Sequence, residues 1–151
     1  MNHDALLADG WTEIIPTGYT ATLGPLWRRG QRDTRQIGFI AGPQHSNMVQ
    51  NSVHGGALAT FADIALGMRV ADELSGSHMA TLQLHLNYLV APKIGTFIWC
   101  APELVRCGTR IAQVRGLIKA GTLDGHDVTV VSGDGLWRIF GSGKTRKIDV
   151  V

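Results

Sequence analysis

The chain has 151 residues, which is enough for one domain with its own hydrophobic core. Hydrophobic residues make up 44% of it and charged residues 17%, a balance that argues against a disordered chain. The formal net charge of +2 is too small to indicate a nucleic-acid-binding protein.

The cysteines and the apolar segments indicate the compartment. Cys100 and Cys107 are the only cysteines and form no CxxC motif, which fits two reduced thiols better than a disulfide or a zinc site. Residues 1–9 lack the basic start and apolar run of a signal peptide. The longest apolar stretch contains Asp63 and Arg69, which argues against a membrane span. We therefore predict a cytoplasmic protein that binds neither membrane nor nucleic acid.

The first part of the chain, residues 1–35, is punctuated by glycine and proline. We expect it to be an irregular segment that packs on the domain, with short strand or helix pieces near residues 11–15 and 19–23. The domain itself is predicted over residues 36–143, and its first strand over residues 36–41.

The last residues, 144–151, form a predicted basic tail that contains Lys144, Arg146 and Lys147. We interpret this tail as a solvated terminus, and binding of an anionic ligand is the alternative.

A polar loop leads into a long helix predicted over residues 54–74, with Ser52 or Asn51 as its N-cap and Gly76 beyond its end. The helix is apolar nearly all round. Most of its surface must therefore be covered by other parts of the chain.

After the helix the hydrophobic period changes from 3.6 to 2, which indicates strands. In residues 81–88 every second residue is apolar, and Gln83 and His85 would share the face of Thr81. Further strands are predicted over residues 96–106, with Pro102 marking an edge or bulge, over 110–120 and over 128–140, with a hairpin turn at 123–125. Because short turns join these strands, they should pair antiparallel. We predict an α+β fold in which a curved antiparallel sheet of five to six strands wraps around one long central helix.

Asp63 is a lone carboxylate within this apolar helix. A buried, unpaired carboxylate is destabilising by several kcal/mol unless its pKa shifts, and catalytic sites are one common place for such a group. The alternative is a structural acid that caps a neighbouring loop or pairs with a buried arginine such as Arg110 or Arg69. The spacing of the apolar residues alone does not separate these two interpretations.

The helix opens with the sequence His-Gly-Gly at residues 54–56. A helix N-terminus presents free N–H groups and a partial positive charge, which would stabilise an oxygen that becomes negative during a reaction. The two glycines would let a ligand approach the backbone closely, although they would equally ease helix packing. His54 is expected to be a neutral hydrogen-bonding group that shapes the loop rather than a base.

The His-Gly-Gly motif with Asp63, followed by Asn87-Tyr88 and Pro92-x-x-Gly95, resembles the hotdog-fold thioesterases. The resemblance is closest to the phenylacetate-pathway (PaaI-like) branch of acyl-CoA thioesterases, and it runs from about residue 37 to residue 140. The segment before it has no counterpart in that family.

This resemblance implies hydrolysis of an acyl-CoA thioester without a cofactor, because coenzyme A is part of the substrate. Asp63 would be the nucleophile or general base, the Gly55 amide would polarise the carbonyl, and Thr81 would hold the water. The family's asparagine falls at Met48 here, so either Asn47 or Asn51 would face the substrate. The full set of expected substrate-binding residues is His54, Gly56, Asn47, Asn51, Arg106 and Arg110.

Arg106 and Arg110 flank a turn and could bind the phosphates of coenzyme A, although solvated turn charges are the alternative. No metal site is expected, since the six histidines show no paired metal-ligand spacing.

Eight residues separate Gly55 from Asp63, which is ~12 Å along a helix. One carbonyl carbon cannot touch both when reacting atoms must lie within roughly 3–3.5 Å. If both groups serve one reaction, they must come from different subunits, so we predict a homodimer in which each site takes Gly55 from one chain and Asp63 from the other. A dimer of dimers is the expected larger assembly.

The predicted function is hydrolysis of an aryl- or medium-chain acyl-CoA. Leu58, Phe61 and the N-terminal segment are expected to line the tunnel for the acyl group. Two alternatives stay open, a non-catalytic acyl-CoA or lipid-binding protein on the same fold and a hydratase.

Overall fold

The computed structural model of the protein describes residues 2–48, 51–74, 77–121 and 126–141. In these ranges the α-helices are α1 (His3–Ala8) and α2 (Gly55–Ala71), and 3₁₀ helices span Gly18–Leu23, Arg32–Thr34 and Pro43–His45. The strands are β1 (Thr12–Ile14), β2 (Leu26–Arg29), β3 (Gln36–Ile40), β4 (His78–Tyr88), β5 (Phe97–Cys100), β6 (Glu103–Cys107), β7 (Ile111–Gly121) and β8 (Val128–Phe140). Gly76, the hairpin turn predicted at residues 123–125 and the basic tail lie outside the described residues.

All eight strands belong to one antiparallel sheet in the order β1-β2-β3-β5-β7-β8-β4, with β6 also paired to β7. The α+β class with one long helix on a large antiparallel sheet is therefore confirmed. The expected number of strands was too low for two reasons. The strand predicted over residues 96–106 divides into β5 and β6 around the buried Pro102, which has no N–H to donate to the ladder. The N-terminal segment also adds β1 and β2.

The sheet has a hydrophobic core on each face. Neighbouring residues of a strand point to opposite faces, and Leu26 and Ile98 join the main core under α2 while their neighbours Trp27 and Phe97 join a second core. The second core also contains Leu6 of α1. The N-terminal segment therefore covers part of the face that α2 leaves free.

Helix α2 starts at Gly55, and His54 is its N-cap because its Nδ1 accepts the N–H of Gly56 at 2.8 Å. The predicted caps Ser52 and Asn51 were wrong. The backbone of Asn51 is in the left-handed region, with φ of 48°, and it lies in the loop before the helix. Among the described residues, no helix is both long enough and apolar enough to cross a lipid bilayer.

Strand β4 is at the edge of the sheet and contains a β-bulge between Thr81 and Gln83. The extra residue changes which side chains share a face. Thr81 points toward α2, and Leu84 and Leu86 pack on the main core on the same face of the sheet. His85 lies between the two leucines and therefore points to the opposite face. The expectation that Gln83 and His85 share the face of Thr81 was therefore wrong.

Candidate active site

The bulge in β4 brings the Thr81 side chain to the Asp63 carboxylate on α2. The hydroxyl of Thr81 donates a hydrogen bond of 2.7 Å to Oδ1 of Asp63. Asp63 is half-buried and Thr81 is exposed, because β4 is the last strand on this side of the sheet. The prediction of a buried carboxylate without a partner was thus wrong on both counts. The apolar residues next to Asp63 in α2 predicted that its surroundings would be apolar. Because β4 is the edge of the sheet, however, one side of the carboxylate stays accessible.

The arginines considered as partners of this carboxylate lie elsewhere. Arg69 is buried and makes ion pairs with Asp33 and Glu73. Arg110 is exposed at the turn between β6 and β7. Asp63 is therefore not part of a structural ion pair within the described residues.

A cavity of about 330 Å³ opens beside the Asp63 carboxylate, between α2 and the strands β4 and β8. Its lining is mostly apolar and consists of Asp63, Ile64, Gly67, Met68, Ala71, Met79, Ala80, Thr81 and Trp137. The polar pair thus borders a space that suits an apolar group. Leu58 and Phe61 do not line this cavity, contrary to prediction, because both are fully buried in the main core.

The N-terminus of α2 presents one backbone donor. The N–H of Gly56 is bonded to His54, whereas that of Gly55 has no acceptor within the described part of the chain. Tyr88 packs beside this position, and its hydroxyl donates to the Gly55 carbonyl at 3.3 Å. Of the two glycines, Gly55 therefore has the unbonded N–H within the described residues, and the His54 ring acts as an acceptor at the start of the helix.

A second histidine, which the sequence analysis did not single out, holds the loop before α2. His45 is buried, its Nδ1 accepts the N–H of Gly42 at 2.9 Å, and its Nε2 lies 3.3 Å from the carbonyl oxygen of Thr22. Its own carbonyl oxygen accepts the N–H of His54 at 2.8 Å. Burial lowers the pKa of His45, so the neutral ring that these contacts require is favoured.

The N-terminal segment contacts α2 at Thr60. The hydroxyl groups of Tyr19 and Thr60 are 3.2 Å apart, and Thr60 donates to the Gly56 carbonyl at 3.0 Å. Although its hydroxyl is tethered in this way, Tyr19 is 74% exposed. The segment without a counterpart in the predicted family therefore lies on α2 between Gly55 and Asp63.

The two candidate asparagines lie on the loop that leads into α2. Asn47 is half-buried and its backbone N–H donates to the Ser52 carbonyl at 2.6 Å, while Asn51 is exposed. The structure places both before the N-terminus of the helix rather than beside Asp63.

The two candidate arginines, Arg106 and Arg110, are exposed at the turn between β6 and β7. Neither side chain has an ion pair in the described ranges. The Arg110 carbonyl accepts the N–H of Ile139, which pairs with Met79 of the cavity. Arg110 therefore lies two strands from Met79, or ~10 Å at the usual strand spacing.

Within one chain the structure assembles only part of the predicted site. Asp63 and Thr81 are in contact, whereas Gly55 lies on the same helix about two turns away, ~12 Å at the helical rise of 1.5 Å per residue. A carboxylate with a hydroxyl partner can take a proton from water or attack a carbonyl carbon. Across the described ranges, no cluster of three or more His, Cys, Asp and Glu could hold a metal ion.

Comparison with known proteins identifies families and structures that this chain resembles. Residues 50–124 match the model of the thioesterase superfamily. A Halobacterium salinarum protein named as a "putative esterase" is 33% identical over 96 residues, which cover 60% of this chain and 62% of that protein. The match thus spans less than two thirds of this curated relative.

Two solved structures are also similar. A Bacillus halodurans protein solved with CoA has a TM-score of 0.60 and 29% identity, and the match covers 70% of this chain and 66% of that one. A variant of the phenylacetic acid degradation protein PaaI from Thermus thermophilus has a TM-score of 0.67 and 16% identity, over 80% and 96% of the two chains. The chain therefore has the hotdog fold of the PaaI-like proteins, and its residues 50–124 are similar to the thioesterase superfamily.

Proposed function

We propose that the protein is an acyl-CoA thioesterase that hydrolyses an aryl- or medium-chain acyl-CoA to the free acid and coenzyme A. The observation that carries this proposal is the Asp63–Thr81 pair at the border of an apolar cavity. A thioester needs a polar group at its carbonyl and an apolar space for its acyl group, and this arrangement offers both.

In the proposed reaction, Asp63 is the general base. Thr81 donates to Oδ1, which leaves Oδ2 to accept a proton from a water molecule. The water oxygen attacks the thioester carbon, and an N–H donor stabilises the negative carbonyl oxygen. When the intermediate collapses, the C–S bond breaks and the proton passes from Asp63 to the leaving sulfur.

The N–H donor is proposed to be Gly55 of a second copy of the chain. Its own Asp63 is too far along α2 to share a carbonyl with it. Strand β4 is a free edge of the sheet, and its apolar side chains Leu82 and Tyr88 are 54% and 53% exposed. Long apolar edge strands favour pairing with another chain. A homodimer that joins these edges would place α2 of one copy next to α2 of the other, and a dimer of dimers is the proposed larger assembly.

Arg106 and Arg110 are proposed to hold the phosphates of coenzyme A, since both side chains are exposed and Arg110 lies two strands from Met79 of the cavity. Asn47 and Asn51 are proposed to face the substrate at the mouth of the site. The Bacillus halodurans relative solved with CoA supports this choice of ligand. Both cysteines are free thiols, which supports the proposed cytoplasmic location.

The shared site is testable with two variants, Asp63→Asn and Gly55→Pro. Proline at the first helical position removes the N–H while the helix is retained. His54 has a ψ of 138°, which suits a residue before proline, and a Cβ on Gly55 would be 3.5 Å from the Tyr88 ring. Each variant alone should lose activity. Gly55→Ala, which keeps the N–H, is the matched control and should stay active.

The two variants are then combined as a doubly tagged heterodimer. If each site takes Gly55 from one chain and Asp63 from the other, one of the two sites is intact, and about half of the wild-type activity returns. A heterodimer that stays inactive would contradict the shared site. Acyl-CoA binding without release of thiol by the wild type would contradict the enzyme and favour the non-catalytic alternative.

A further inference from the structure

Trp137 of β8 is buried between the sheet and α2, with 1% of its surface exposed. A Cβ built on Gly67 would lie 3.4 Å from its Nε1, whereas a Cβ on Gly135 would lie 2.5 Å from its Cη2. The indole therefore lies with its N–H edge toward α2 and its six-membered ring toward Gly135.

No residue in the described ranges accepts the indole N–H of Trp137. Its nitrogen is also not one of the sealed polar atoms without a partner, so it opens onto the neighbouring cavity, where a ligand atom can accept its hydrogen. Gly67 and Trp137 both line the 330 Å³ cavity beside Asp63. The unpaired donor thus faces a cavity that is otherwise mostly apolar.

The distance of this donor from the Asp63 carboxylate follows from the helix and the strand register. Gly67 is one helical turn after Asp63, ~6 Å along the axis of α2. Trp137 is also the register partner of Thr81 on the neighbouring strand. An acyl group whose carbonyl carbon is at Asp63 and whose tail enters the cavity would pass the indole N–H several bonds beyond the carbonyl.

We propose that Trp137 is a specificity-determining residue that donates a hydrogen bond to an oxygen atom on the acyl group. The preferred substrates are acyl-CoA thioesters with a hydroxyl or oxo oxygen several bonds beyond the thioester carbonyl. This inference rests on the proposed function, since it takes the cavity as the acyl site. A site that hydrogen-bonds a substrate oxygen discriminates against an analogue without it, because the donor is then left unpaired.

The test compares hexanoyl-CoA with 3-, 4- and 5-oxohexanoyl-CoA, which differ only in the presence and position of one oxygen. For the wild type we expect one oxo isomer to exceed hexanoyl-CoA in kcat/KM by about tenfold. Trp137→Phe should reduce this ratio to about one. Trp27→Phe is the matched control, because Trp27 is an equally buried indole in the second core, and it should keep the ratio.

A second replacement covers the case in which Trp137→Phe does not fold. Benzothienylalanine at position 137 keeps the shape of the indole and replaces its N–H with sulfur, and it should also abolish the preference. Equal kcat/KM values for all four substrates in the wild type would overturn the proposal, as would a preference that survives this replacement.

Binding separates this inference from the proposed function. The same four acyl groups are attached to coenzyme A as non-hydrolysable ketone analogues, and their affinities are measured by calorimetry. Suppose that the wild type releases no thiol but binds one oxo analogue about tenfold more tightly than the analogue without the oxygen, and that the benzothienylalanine variant lacks this preference. The inference about Trp137 then stands, while the thioesterase proposal fails. Equal affinities would overturn the inference whatever the activity.

Discussion

The hydroxyl of Thr81 and the carboxylate of Asp63 are 2.7 Å apart, and the β-bulge next to Thr81 makes this contact possible. With regular alternation along β4, Thr81 could not face α2 together with Leu84 and Leu86. Bulges often re-aim a side chain next to an active site. The bulge is therefore part of the candidate site.

Replacement of Thr81 by valine tests the role of its hydroxyl. Valine has nearly the same shape but no donor for Oδ1 of Asp63. Without this donor the carboxylate can turn away from the attacking water, and a reacting group misplaced by about 1 Å can reduce the rate about a hundredfold, so we expect kcat to fall about tenfold to a hundredfold. Thr81→Ser keeps the hydroxyl and should keep most of the activity. Because Thr81 is exposed, thermal unfolding should change little in either variant, and an unchanged kcat in Thr81→Val would remove the hydroxyl from the mechanism.

His54→Ala should destabilise the N-terminus of α2. His54 caps the helix through the Gly56 N–H, and loss of an N-cap is destabilising by about 1 kcal/mol. His54→Asn restores a side-chain acceptor and should recover most of the loss in urea unfolding. Equal unfolding midpoints for the alanine variant and the wild type would contradict the capping role.

The stability of the protein should depend on pH through His45. Burial lowers its pKa in the folded state below the usual value of about 6.5, so the unfolded chain binds the proton more readily. The free energy of unfolding should therefore fall as the pH drops through 6.5 toward the pKa of the folded state, and level off below it. In His45→Gln this part of the pH dependence should disappear. Urea unfolding between pH 5 and 8 measures both, and a wild-type stability that rises on acidification across this window would contradict the sign.

Much of the fold follows from local sequence patterns. The apolar stretch after His-Gly-Gly predicted α2, and alternation predicted the strands that follow, because both signals depend on residues that are close in sequence. The N-terminal strands have weaker patterns. Their side chains are fixed by contacts far along the chain, as when Trp27 packs with Phe97 in the second core.

Some residues of the candidate site could likewise be predicted from local patterns, and others could not. Asp63 and Gly55 could be selected from the sequence, because a lone acid in an apolar helix and a glycine at a helix start are local signals. The Trp137 donor and the His45 contacts could not be selected in this way, because each depends on a residue far away in the sequence. The Trp137 nitrogen lies beside Gly67, and the His45 ring contacts the carbonyl of Thr22. No spacing in the sequence marks either pair.

The role of Asp63 as general base can be separated from a role as nucleophile by isotope labelling. Thr81 donates to one carboxylate oxygen, and its own oxygen can accept a hydrogen bond from a water molecule beside the other. In a single turnover with enzyme in excess in ¹⁸O-labelled water, a general base delivers the label to the released acid. A nucleophile would instead form an anhydride between Asp63 and the acyl group. Water that attacks the Asp63 carbon of this anhydride places the label on Asp63 and releases an unlabelled acid, whereas attack on the acyl carbon labels the acid. We therefore expect labelled acid, an unlabelled Asp63 peptide and no acylated Asp63 peptide after rapid quenching, by mass spectrometry; a label or an acyl group on Asp63 would show that the carboxylate attacks the thioester directly.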